Sequence, residues 1–395
     1  MSQPVNRRAL LGYAGAAGVG GAAGFLGGRV TARGEVPDAA VRVAGLVHDP
    51  HGPHQPGILT PSPASHRLVA LDLLPGTDAA ALGRLMRVWT PSIRALMAGR
   101  AAPGDTAADL ALAGVSLSVL VAFGEAVFEL EGLEKRRPAG FQQVPAMDHD
   151  RLEERWVGGD LLLWVCADDD TSVAYGTRRL LLDAAPFASH RWTQSGSWRG
   201  IGPGGAAATG RNLFGQLDGT GNPVGDALDA AVWSRDGWLA GGTQLVVRRI
   251  RMDLDHWDTA IRDRQEKSTG RRLDTGAPLH GADEHEALDL SLMADGVPVI
   301  PLDAHARRAH PSENRDRAML RRSANYSHVD DSGTATSGLI FAAFQASIAE
   351  QFIPVQRRLD QLDALNEWTT AIGSAAFVVP PGYGPEGYVG ETLLA

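Results

Sequence analysis

An acid, an imidazole and a guanidinium set out the chemistry open to this chain. Asp218 lies in Leu213-Phe214-Gly215-Gln216-Leu217-Asp218-Gly219-Thr220-Gly221-Asn222-Pro223. The glycines let the backbone pass close to a large flat ligand, and an acid held in such a loop can take up and return a proton. His305 follows Pro301-Leu302-Asp303-Ala304 and opens the segment His305-Ala306-Arg307-Arg308-Ala309-His310-Pro311. An imidazole there is a candidate metal ligand; spacing alone does not separate His305 from His310. Arg321, in Met319-Leu320-Arg321-Arg322-Ser323-Ala324-Asn325-Tyr326, can stabilise negative charge as it develops.

Taken together, these segments resemble the dye-decolourising peroxidases, a haem family whose pattern is Gly-x-x-Asp-Gly, then a ligand histidine, then an arginine. Gly215-Gln216-Leu217-Asp218-Gly219 fits the first part at every fixed position. The resemblance runs from about His51 to Gly382 and includes Gly158-Gly159-Asp160-Leu161, Gly241-Gly242-Thr243 and Val379-Pro380-Pro381-Gly382. Departures are small: Ser323 stands where glycine is frequent, and His305-Ala306-Arg307-Arg308 replaces the usual His-Ile-Arg-Leu.

The resemblance implies haem b as cofactor, with His305 as the iron ligand, Asp218 as proton shuttle and Arg321 as charge stabiliser. Arg322 is the fallback for Arg321. It also implies that Gly219, Thr220 and Gly221 border the cofactor, and that Phe341 and Phe344 wall its cavity. Glu367 matches the family position for the acid that holds the ligand histidine, while Asp360 and Asp363 on the same predicted helix are alternatives. The expected activity is oxidation of dyes, phenols or other bulky aromatic donors by hydrogen peroxide through a ferryl intermediate. Trp233, Trp238, Trp257 and Tyr326 are candidate electron relays. Two other readings keep the haem: release of its iron in the manner of a deferrochelatase, and a non-enzymatic haem carrier. A homo-oligomer is also compatible.

With 395 residues, 44% of them hydrophobic, the chain can bury a sizeable core. The net charge of −9 argues against a nucleic-acid partner. Cys166 is the only cysteine, which excludes an intrachain disulfide and a thiolate cluster. It sits in the apolar run Leu161 to Cys166 and is expected to be a buried, inert thiol. His48, His51 and His54 cluster early in the chain without a matching carboxylate pattern. Asn6-Arg7-Arg8 before a mild Ala/Gly-rich stretch looks like a twin-arginine export signal, so the expected partner is that export machinery and the expected location is outside the cytoplasm.

The elements that must position these groups fall into two similar sets. Strand patterns occur at residues 66–73, 113–121 and 161–166, with helices over Ala79 to Met97 and Thr171 to Ala184. The second set has strands at 243–252, 338–345 and 376–379, and helices over His256 to Glu266 and Pro354 to Trp368. This predicts an α+β fold of two ferredoxin-like halves, antiparallel sheets covered by helices. The expected divisions are 1–45 (signal and linker), 46–200 (N-terminal half) and 201–395 (haem-bearing C-terminal half).

Overall fold

The computed structural model describes residues 44–395, apart from 203–206, 236 and 330–332. The expected export signal therefore lies outside the described residues. Strands β1 (Ser65–Leu73), β2 (Ser118–Phe123), β3 (Leu161–Ala167) and β4 (Ala188–Ser197) come from the first half of the chain. From the second half come β5 (Thr243–Met252), the short ribbon of β6 (Met293–Ala294) and β7 (Val297–Pro298), then β8 (Leu320–Arg321), β9 (Ala324–Val329), β10 (Ala335–Gln345) and β11 (Thr369–Val379).

Each half contributes four antiparallel strands, in the orders β4-β1-β3-β2 and β9-β10-β5-β11. Both have the strand order of a ferredoxin-like unit, which is the predicted fold class. The halves join edge to edge, β11 to β2 and β4 to β9, and so close a barrel. Each seam rests on one register pair, Val378 with Phe123 and Ser197 with Asn325.

Helix α1 (Ala79–Met97) starts where the Asp78 side chain accepts the Ala81 amide, and buries Leu82, Leu85, Met86 and Trp89. Val88 is exposed, and Trp89 beside it is fully buried. Helix α2 (Asp170–Ala184), capped by Asp169, covers the same sheet. The later helices are α3 (Gly225–Val232), α4 (Leu254–Thr259), α5 (Arg262–Thr269), α6 (His305–Arg308), α7 (Ile353–Leu362) and α8 (Glu391–Leu394).

Two expected helices are broken by local chemistry. The single helix over 256–266 is α4 and α5, parted at the extended Ala260 and Ile261. The helix expected to reach Trp368 stops at Asp363, which turns extended and caps a separate 3-10 turn, Ala364–Glu367.

Strand alternation sorts the core into an outer, helix-covered layer and a packed barrel interior. Leu68, Trp164, Leu245, Ala342 and Phe344 point inward; Val69, Val165, Val246 and Ala343 point outward. Cys166 is buried in the interior, where burial pushes its thiol pKa up, so it stays protonated.

Candidate active site

The loop that carries Asp218 is braced from below by a side-chain framework. Asn212 Oδ1 accepts the amides of Phe214 and Gln216 at 3.0 and 3.3 Å. The Arg211 guanidinium binds the carbonyls of Gly215, Leu273 and Asp274. Gly219 has φ +132°, a conformation that glycine adopts without strain, and it turns the chain immediately after the acid. The Asp218 carboxylate then meets Arg321, with Nη1 to Oδ1 at 3.2 Å; both side chains are largely buried.

Asn222 fixes the arginine from the far end of the same loop. Its Nδ2 donates to the Arg321 carbonyl at 2.8 Å, and its Oδ1 accepts the Arg321 amide at 3.0 Å and Nε at 3.3 Å. The amide side chain thus imitates a neighbouring strand for one residue and aims the guanidinium at Asp218. Thr220 Oγ1 donates to Glu284 at 2.9 Å, tying the loop to the segment after α5. Sequence reasoning missed Asn222 and Glu284. The Asn-Pro end of the loop was visible there, but only as a turn.

His305 opens α6. Gly270, left-handed at φ +82°, ends α5, and a Cβ there would press on Ala304 and Ile300 at 3.2 Å. That close approach seats the residue before His305. Its Nδ1 lies 2.5 Å from Asp363 Oδ2, while Asp363 Oδ1 accepts the Leu365 amide at 2.9 Å. Burial works against a charged imidazole, but the Asp363 charge and hydrogen bond outweigh it and raise the His305 pKa above its ordinary value. Asp218 and Arg321 lie close enough for both charges to bear on the same imidazole.

Asp363 is therefore the acid that meets His305, and Glu367 is not. Glu367 sits in the 3-10 turn beyond the break and pairs with Arg264 at 2.5 Å and His256 at 3.4 Å. Asp360, the other alternative, binds His149 and the Asp148 amide. A second difference concerns the two phenylalanines. Phe341 faces outward, beside Phe352 and the cluster of Phe214, Trp257 and Trp368. Phe344, three residues on, points into the barrel and stacks on Trp164, so it does not share a wall with Phe341. His310 turns away to hold Ser312 at the start of a 3-10 turn.

The residues present suit a haem. With Nδ1 committed to Asp363, Nε2 of His305 is the nitrogen available to iron. Among the described residues no group of three or more His, Cys, Asp or Glu side chains could hold a metal ion. A porphyrin would bring the other ligands of its iron with it, so that one imidazole from the protein suffices.

Family models cover most of the chain: the N-terminal model of DyP-type peroxidases matches residues 55–197 and the C-terminal model residues 209–384. The dye-decolorizing peroxidase of Thermobifida fusca is 37% identical, over 98% of this chain and 97% of its own length. The deferrochelatase of Escherichia coli K12 is 33% identical, over 87% and 86%. Among solved structures, a DyP-type peroxidase from Cellulomonas bogoriensis is 45% identical with a TM-score of 0.84, covering 90% of this chain and 99% of its own. Ferric DtpA from Streptomyces lividans is 38% identical with a TM-score of 0.84, covering 89% and 98%.

The chain belongs to the DyP-type peroxidase family. It is an oxidoreductase that uses hydrogen peroxide, and its cofactor is haem b.

Proposed function

We propose that this protein reduces hydrogen peroxide at a haem held by His305, with Asp218 moving the proton and Arg321 holding the charge, and that it draws electrons from phenolic or dye-like aromatic donors. The observation that carries the reading is the Asp218–Arg321 pair standing within electrostatic reach of a histidine already oriented by Asp363. When bound, the haem supplies the iron at which peroxide is reduced by two electrons. His305 would hold that iron through Nε2, and Asp363 would give the imidazole more anionic character. Asp218 has one carboxylate oxygen, Oδ1, engaged by Arg321, which leaves Oδ2 to take the proton from the inner peroxide oxygen and return it to the outer one. Arg321 would stabilise the negative charge on the departing oxygen. Gly219, Thr220, Gly221 and Phe341 would border the ring.

Stopped-flow mixing of haem-loaded protein with peroxide tests this. Asp218→Asn and Arg321→Leu should each slow the peroxide reaction by about 10²–10³-fold, with haem content unchanged. Equal rates in wild type and both variants would refute the roles of the acid and the guanidinium.

The deferrochelatase relatives support a second reading, release of iron from haem. It requires fluorescent iron-free porphyrin to appear on incubation with haem in the absence of peroxide. Export by the twin-arginine route is proposed from Asn6-Arg7-Arg8 and the mild Ala/Gly-rich stretch that follows. Replacing Arg7 and Arg8 together by lysine should retain the protein in the cytoplasm; unaltered export would exclude that route.

A further inference from the structure

Beside the candidate active site, and sharing Gly221 with it, lies a cavity of about 420 Å³ between α3, the loop end Gly221–Pro223 and the segment 311–318. Asp218, His305, Arg321 and Asp363 do not line it. Its size falls within the roughly 300–1,000 Å³ of small-molecule pockets. Pro223, Ala227, Ala230, Pro311 and Ala318 give it low, apolar walls, which suit the face of an aromatic ring. Gln351 fixes those walls in place, donating to the carbonyls of Ala231 and Ala318 at 2.8 and 2.7 Å.

One edge of this cavity is cationic. Arg315 and Arg317 line it, and among the described residues neither forms an ion pair, unlike Arg307, Arg321 and Arg358 nearby. Arg317 is anchored by carbonyls, Nε to Glu350 and Nη1 to Asn314, and among the described residues the one carboxylate lining the cavity is that of Asp316, against two guanidinium groups. Arg315 and Asp316 also hold left-handed backbone, at φ +54° and +58°. A glycine would adopt that conformation freely, whereas an L side chain is strained there. An arginine kept at a strained position on the rim of a cavity points to use of its side chain.

The wall of the cavity backs directly on the proposed chemistry. A methyl placed on Gly221 would lie 3.8 Å from Arg321 Nη2, and Ala318 precedes Arg321 by three residues.

We infer that this cavity is the docking site for an anionic aromatic electron donor, a phenol carrying a sulfonate or carboxylate, with its ring on the Ala/Pro walls and its anion between Arg315 and Arg317. The inference rests on the peroxidase reading for its purpose but not for its geometry. Two donor molecules each give up one electron and the phenolic proton, becoming phenoxyl radicals. Those two electrons and two protons reduce one hydrogen peroxide to two waters.

The test uses haem-loaded protein and three compounds: benzenesulfonate, which is not a phenol, as binding probe, and 4-hydroxybenzenesulfonate and phenol as substrates. Arg315→Gly and Arg317→Gln should each weaken benzenesulfonate binding by about tenfold in calorimetry, the effect of removing one charge-assisted contact. They should raise KM for 4-hydroxybenzenesulfonate similarly and leave kcat, and KM for uncharged phenol, in place. Arg315→Gly relieves the strained backbone, so its thermal stability should hold or rise while binding falls, a divergence that a purely structural role would not give. Ala230→Phe, which fills the cavity, should weaken all three ligands. Absent benzenesulfonate binding in the wild type, or binding untouched by all three variants, would overturn the site. Failure of the wild type to oxidise either phenol with peroxide would instead count against the peroxidase reading, and calorimetry would still decide the cavity.

Discussion

Arg321 and Arg322 are consecutive residues that serve opposite faces of one sheet. Arg321 turns outward, meets the Asp218 carboxylate, and keeps about a quarter of its side chain exposed. Arg322 turns into the barrel, bonds the Thr60 carbonyl, and has Nε and Nη2 buried without a hydrogen-bond partner. Its neighbours there are the Trp164 ring, 5.8 Å away, and two groups kept neutral. Burial first, and the Arg322 charge second, push the His66 pKa down to about 3. Burial holds the Cys166 thiol protonated. The outer face carries paired, partly hydrated charges of the kind that can change state in a reaction. The inner face around Arg322 carries a fixed cation in a setting that keeps the neighbouring His66 and Cys166 uncharged.

That contrast predicts different kinds of loss. Arg321→Leu should cut the rate with peroxide by about 10²–10³-fold and leave thermal stability nearly untouched. Arg322→Met should do the reverse: the rate stays within a few-fold, and the melting temperature holds or rises by ~2 °C, since removing a poorly compensated buried charge is commonly neutral or stabilising. A collapse of activity in Arg322→Met with Arg321→Leu unaffected would exchange the two roles.

On the proximal side the comparison is between two acids four residues apart. Asp363→Asn should slow the peroxide reaction by roughly 10–100-fold and raise the haem reduction potential, because it removes the negative partner of His305. Glu367→Gln should change stability by less than about 1 kcal/mol, as its partners are half-exposed, and leave the potential alone. Redox titration of both variants separates them.

The sequence exposed Asp218, His305 and Arg321 because each lies in a short motif whose residue types carry their own chemistry. It concealed the acid partner because helical periodicity runs smoothly past residue 362. What breaks the helix is the Asp363 side chain, which caps Leu365 with one oxygen and reaches His305 with the other. The two ferredoxin-like sets were legible from alternation and helix spacing. Closure of the barrel was not, since it depends on two seams of a single register pair between residues far apart in the chain. The inward turn of Phe344 follows from the same closure: alternation places Phe341 and Phe344 on opposite faces, but only the folded sheet says which face is the interior.

A smaller effect sharpens the inner half of the comparison. Folded His66 takes up a proton only near pH 3, whereas an unfolded histidine does so near 6.5. Between those values the unfolded chain binds more protons, so stability falls as pH falls from 6.5 toward 3. From pH 6.5 to pH 5 the contribution is roughly 2 kcal/mol. His66→Asn should flatten the fall in melting temperature over that interval; an identical slope in variant and wild type would contradict the neutral interior.

The most direct test of the whole account is the spectrum of the haem-loaded ferric protein with each candidate ligand removed. The bands of a histidine-ligated haem should be present in the wild type and in His310→Ala and be lost in His305→Ala. Survival of histidine ligation in His305→Ala would contradict the assignment on which the roles of Asp218, Arg321 and Asp363 depend.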